Sequence, residues 1–175
     1  MKKAFCVVFA IIVVITAPSF SFGQDIKHFQ IALYNPVQIF DEDTSIHGIR
    51  LSIYGVNEDM YGVDLGIVSQ VNGDMKGWHS GLVTIVKGTM TGYQEGFVNI
   101  TEGAFVGWQS GNINICKSKL TGFQSAFVNV SKEISGVQLG LVNHTEKLYG
   151  LQIGLVNINK SGIPHKFLPI VNYSF

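Results

Sequence analysis

Gly136-Val137-Gln138-Leu139-Gly140-Leu141-Val142-Asn143 is followed by a short polar turn and then by Gly150-Leu151-Gln152-Ile153-Gly154-Leu155-Val156-Asn157. The same unit, G-Φ-Q-x-G-Φ-V-N, can be followed back through lead glycines at Gly122, Gly107, Gly92, Gly77, Gly62 and Gly48. Their spacing is 14 or 15 residues throughout, and a fixed short period means a repeat architecture. Most of the chain is given over to one structural unit, so no catalytic apparatus need be present.

Within the unit, side chains alternate. From Leu148 to Asn157 strict alternation puts Leu148, Gly150, Gln152, Gly154 and Val156 on one face, and Tyr149, Leu151, Ile153, Leu155 and Asn157 on the other. That is a β-strand. Clusters such as Asn143-His144-Thr145-Glu146-Lys147 read as turns. Glycine in every repeat and the wrong period exclude helix. Two further strands are expected, His28 to Tyr34 before the repeats and Phe167 to Phe175 after them. The total is about ten.

Two all-β architectures fit. The unit is nearly palindromic about its central Gln, which favours an antiparallel meander in which Gln meets Gln at every seam. Closing such a meander into a small β-barrel of about ten strands removes its edges. Strands of about nine or ten residues, an outer face with Trp78, Tyr93, Phe97, Trp108, Phe123 and Phe127, and a terminal Phe175 match an outer-membrane barrel. Outer-membrane lipid and the barrel-assembly machinery are then the expected partners. Against this, Glu95, Ser80, Ser110, Asn112 and Ser125 share the would-be lipid face, and Val171, Tyr173 and Phe175 would face inward if the repeat register persists. The alternative is a parallel β-solenoid, with Gln and Asn stacked in ladders.

Lys2 and Lys3, the apolar run Ala4 to Thr16, Pro18 and the small residues up to Gly23 have the layout of a cleaved secretory signal over residues 1–23. One repeat-built domain is expected over 24–175. The chain carries 12 basic and 12 acidic residues, and loss of the leader lysines tips the balance slightly acidic. This is no nucleic-acid footprint. Only Cys116 remains after the leader, so an intramolecular disulfide is excluded and a buried or turn thiol is expected.

The repeats, over roughly 48–172, resemble the short surface-repeat family first described among leptospiral surface proteins and found widely in other bacteria. The resemblance implies a cell-surface or outer-membrane location, with no established enzymatic activity and no cofactor. It brings no catalytic residues to carry over.

Departures from the consensus mark the candidate site. Arg50, Asp64 and His79 occupy the Gln slot in three consecutive repeats, and Ser69 and Thr84 occupy the Asn slot. Arg50, Asp64 and His79 are therefore expected side by side on the polar face, as an internal ion pair or as a charged lumenal site. Ser52 beside His79 and Asp64 admits a remote hydrolase reading. His28, His47, His144 and His165 lack metal-ligand spacing, and no phosphate-binding loop is present. Asn99, Asn129, Asn143 and Asn172 begin N-x-[ST] triplets and are read as turn residues rather than glycan acceptors. The expected function is a non-enzymatic outer-membrane or cell-surface protein of structural or surface-exposed role, with a narrow pore as one form of it. The alternative is a secreted solenoid that binds a glycan or another partner.

Overall fold

A computed structural model describes residues 27–175. The leader expected over residues 1–23 lies outside these described residues. The described elements are β1 (Lys27–Tyr34), β2 (Val37–Gln38), β3 (Ile46–Asn57), β4 (Met60–Val71), β5 (Met75–Val86), β6 (Met90–Thr101), β7 (Phe105–Asn159) and β8 (Phe167–Ser174). They form one sheet in the order β2-β1-β3-β4-β5-β6-β7-β8.

Successive repeats do not reverse direction. β3, β4, β5, β6 and the start of β7 pair in parallel, with Gly48, Gly62, Gly77, Gly92 and Gly107 in one row. The chain is a β-solenoid, and the closed antiparallel barrel is wrong. The expectation of barrel-assembly machinery rested on that closure. Among the described residues, antiparallel pairing occurs only at the two ends, where β2 joins β1 and β8 joins the last coil of β7.

The reason lies in a corner that strict alternation hides. In β4, Met60 and Asp64 are buried, as alternation predicts, but so are Ser69 and Val71. The phase slips at Ile67, where the ladder lapses between Ser52↔Gly66 and Tyr54↔Val68. Each coil is thus a long wall, a corner and a short wall, and the short wall comes from the Φ-V-N segment rather than from the turn. Val156 points outward and Asn157 inward, the opposite of the simple alternation. In β8 the same holds: Asn172 is buried while Val171, Tyr173 and Phe175 are exposed.

The turns are short because they too bond to the coil before them rather than closing a hairpin. Asp59 Oδ1 accepts from the Asp74 N–H, and Asp74 Oδ1 from the Thr89 N–H, both at 2.7 Å. The lead glycine is required by the backbone: Gly107 has φ 135°, and a Cβ there would lie 2.0 Å from the Gly92 carbonyl oxygen. Glycine just before the corner meets both backbone and side chain: a Cβ on Gly111 would lie 2.2 Å from the Gly96 carbonyl oxygen and 2.6 Å from Nδ2 of Asn99.

Two kinds of row fill the interior. Beside the turns runs an apolar strip formed by Ile46, Met60, Met75, Met90, Phe105, Leu120, Ile134 and Leu148, packed against Val71, Val86 and Cys116. Burial pushes the Cys116 thiol up to about 11, as suits an inert buried sulfur. Towards the corner the interior is polar.

Candidate functional site

A polar core is tolerable only if each group is paired. Stacking identical amides in register achieves this, because each carries a donor and an acceptor that can point along the stack. Nε2 of Gln152 donates to Oε1 of Gln138 (2.8 Å), Gln138 to Gln124 (2.7 Å), Gln124 to Gln109 (2.8 Å) and Gln109 to Gln94 (2.9 Å). The Asn row runs the other way: Asn99 donates to Asn114 (2.8 Å), Asn114 to Asn129 (3.1 Å), Asn129 to Asn143 (2.9 Å) and Asn143 to Asn157 (2.8 Å). Asn99, Asn129, Asn143 and Asn172 are therefore fully buried members of the core and not turn residues.

Thr84 joins the two rows. Its hydroxyl accepts from Gln94 Nε2 at 3.0 Å and donates to Asn99 Oδ1 at 2.5 Å. At the opposite end Asn172 donates to Gln152 (3.4 Å), and Asn157 donates to the Leu168 carbonyl (3.2 Å). The result is a one-way circuit that leaves β8, turns at Thr84 and returns to β8.

Beyond Thr84 the Gln slot changes chemistry. In-register pairing places Gln30, Arg50, Asp64, His79 and Gln94 in succession. Arg50, Asp64 and His79 are each 0% exposed. Arg50 grips Asp64 with two parallel bonds, Nε to Oδ1 at 2.8 Å and Nη2 to Oδ2 at 2.5 Å. Its Nη1 donates to Asn57 Oδ1 and to the Gln70 carbonyl, both at 3.1 Å. The Ser69 hydroxyl adds a 3.4 Å bond to Asp64.

His79 Nε2 lies 3.1 Å from Asp64 Oδ2, yet neither ring nitrogen makes an aligned hydrogen bond to any described residue. Proximity without alignment is a contact rather than an ion pair. Burial dominates and pushes the imidazole pKa down to about 4; Asp64 opposes the shift and Arg50 reinforces it. His79 is neutral at pH 7.

The structure thus brings Arg50, Asp64 and His79 together, in a fully buried core rather than a lumen. Ser52 does not complete a nucleophilic set, since its hydroxyl lies 3.2 Å from that of Ser69. Gln30, Asn57 and Gln70 were not singled out from sequence. For Thr84 the one available signal was its departure from Asn.

The outer surface is the reverse of the core. Corner residues Ile53, Ile67, Leu82, Phe97, Phe127, Leu141 and Leu155 are exposed, Leu155 by 67%. An open groove of about 680 Å³ runs beside the last coils, lined by Phe127, Leu139, Leu141, Ile153, Leu155 and Ile170 among others. On the long wall Tyr93, Trp108 and Phe123 stack edge to face, at 5.3 Å and 62° and then 5.6 Å and 76°. Among the described residues, no group of His, Cys, Asp and Glu is arranged to hold a metal ion. Comparison with family models, with curated proteins and with solved structures finds no match to this chain.

Proposed function

We propose that this chain is a non-enzymatic β-solenoid module of an exported surface protein, and that its outer wall and corner form a binding surface for an apolar partner. The carrying observation is the inverted layout: polar side chains are consumed inside by one another, while large apolar side chains stand in rows outside. Monomeric soluble proteins rarely leave such contiguous patches uncovered. The surface-repeat resemblance and the leader-like first residues support export to the cell surface. The buried ion pair is read as a structural element, since no substrate reaches groups with no exposed surface.

A glycan is a weaker fit to this wall. Sugar rings stack on open aromatic faces, whereas Tyr93, Trp108 and Phe123 turn edges and faces towards one another.

The test is binding of the hydrophobic dye anilinonaphthalene sulfonate to the native chain. Strong binding that falls several-fold in a Phe127→Lys, Leu141→Lys double variant with an unchanged far-ultraviolet spectrum supports the reading. Absence of dye binding by the native chain refutes it.

A further inference from the structure

We propose that the apolar partner is one leaflet of a lipid bilayer, entered corner first, with the turn edge held at the headgroups. This rests on the reading of the outer surface as a binding surface and names its occupant.

Charge geography is the first argument. From Ile46 to Asn159, the only Lys, Arg, Asp or Glu residues outside the turns and the β7 positions in register with them are Arg50, Asp64, Lys76 and Glu95. Arg50 and Asp64 are interior, and Lys76 directly follows the first residue after a turn. Glu95 alone is an outward charge well away from the turn edge. All other charge in this span lines the edge opposite the corner.

The second argument is that the apolar surface wraps around the molecule. The long wall carries exposed Trp78 and Trp108, the corner carries exposed Phe127 and Leu155, and the short wall carries the half-buried Val98 and Ile113. A second copy or a folded protein partner would cover one wall and leave the other in water. A fluid apolar medium covers both walls and the corner together.

Lipid also demands that polar backbone be satisfied internally. Apart from the corner residue, where the ladder lapses, each coil's backbone pairs with the coils on either side, and the turns are bonded in the same way. The dimensions suit one leaflet. From Met60 to the corner at Ile67 is seven residues, or about 23 Å at ~3.3 Å per residue. Half a hydrocarbon core is ~15 Å, with several ångströms of headgroup region above it. The corner therefore reaches about as far as the midplane, and Trp78 and Trp108 sit at shallow depth.

Charges of the turn edge are mixed in sign, with Glu58, Asp59 and Glu102 among Lys87, Lys117 and Lys132. That pattern suits zwitterionic headgroups and gives no reason for a preference for anionic lipid. Glu95 is the charged misfit, and Asn112 sets a polar side chain at the corner itself. Glu95 accepts a 2.9 Å bond from the Ser80 hydroxyl and lies on the long wall between Trp78 and Trp108. Removing its charge should strengthen membrane binding.

The experiment mixes the full chain with phosphatidylcholine vesicles, in flotation and in tryptophan fluorescence with lipids brominated at defined depths. Expected are co-flotation, a blue-shifted emission, and stronger quenching by bromines near the carbonyl end of the acyl chain than by bromines near the midplane. Phe127→Lys, Leu141→Lys should lower the floated fraction at least tenfold, and Glu95→Gln should raise it. The double variant keeps the apolar leader, so flotation that survives in it belongs to the leader and overturns the proposal. A native chain that stays at the bottom of the gradient, or sediments as a dimer with its tryptophans shielded from aqueous quencher, overturns it too. Dye binding without vesicle binding removes the lipid while leaving the binding surface intact; loss of both removes the surface itself.

Discussion

The Gln slot runs as one row through the whole molecule, yet its two halves obey different rules. From Gln94 to Gln152 each side chain passes a hydrogen bond to the next copy, and the arrangement extends for as many coils as the chain provides. From Arg50 to His79 the row is charged, pairs once and stops. A neutral amide is its own complement, whereas a guanidinium needs a carboxylate, and the pair leaves little for a third neighbour. The contrast teaches that a buried polar row can repeat only if its residue both gives and accepts. A charged substitution confines itself to an end.

The largest effect should come from breaking the charged half. Asp64→Ala strands the buried Arg50 guanidinium and should cost about 3–5 kcal/mol in urea unfolding. Next is pH. His79 has a folded pKa of about 4 against 6.5 for the free group, so the unfolded chain takes up the proton first as pH falls. The stability that rests on neutral His79 is complete above about pH 6.5 and is lost on acidification towards pH 4, by roughly 3 kcal/mol. Urea midpoints measured across that range check the slope. In the amide half, Gln124→Ala orphans the Gln109 acceptor and should cost about 2 kcal/mol, less than the charged break. The smallest effect sharpens the comparison instead of breaking it. His79→Gln offers Gln94 and Asp64 a side chain that both donates and accepts, and should gain about 1 kcal/mol at pH 7 while flattening the acid slope.

Much of this was legible in the residues. The period, the all-β character, the slot structure and the adjacency of Arg50, Asp64 and His79 follow from spacing alone. Strand direction did not, because Gln meets Gln in a parallel stack as readily as in an antiparallel one. The corner was invisible for a related reason. An outward Leu155 at a bend and an inward Leu in a strand look the same to hydropathy, so alternation was carried past Gly154 and put Val156 and Asn157 on the wrong faces. The surface was also read through the usual rule that apolar means inside or lipid-facing barrel wall. This fold instead spends its amides inside and leaves aliphatic side chains out. The turning role of Thr84 depends on two partners ten and fifteen residues away in sequence, and no local pattern announces it.

Both lanes of the amide circuit fasten on the final strand, at Asn172 and at the Leu168 carbonyl, and meet again only at Thr84. Such a necklace can gain or lose a bead between clasp and pendant without any link changing hands. Deleting or duplicating one coil around Gln124 and Asn129 would shorten or lengthen each lane by a single link, so the circuit tolerates a change in coil number but not the loss of Thr84 or the last strand.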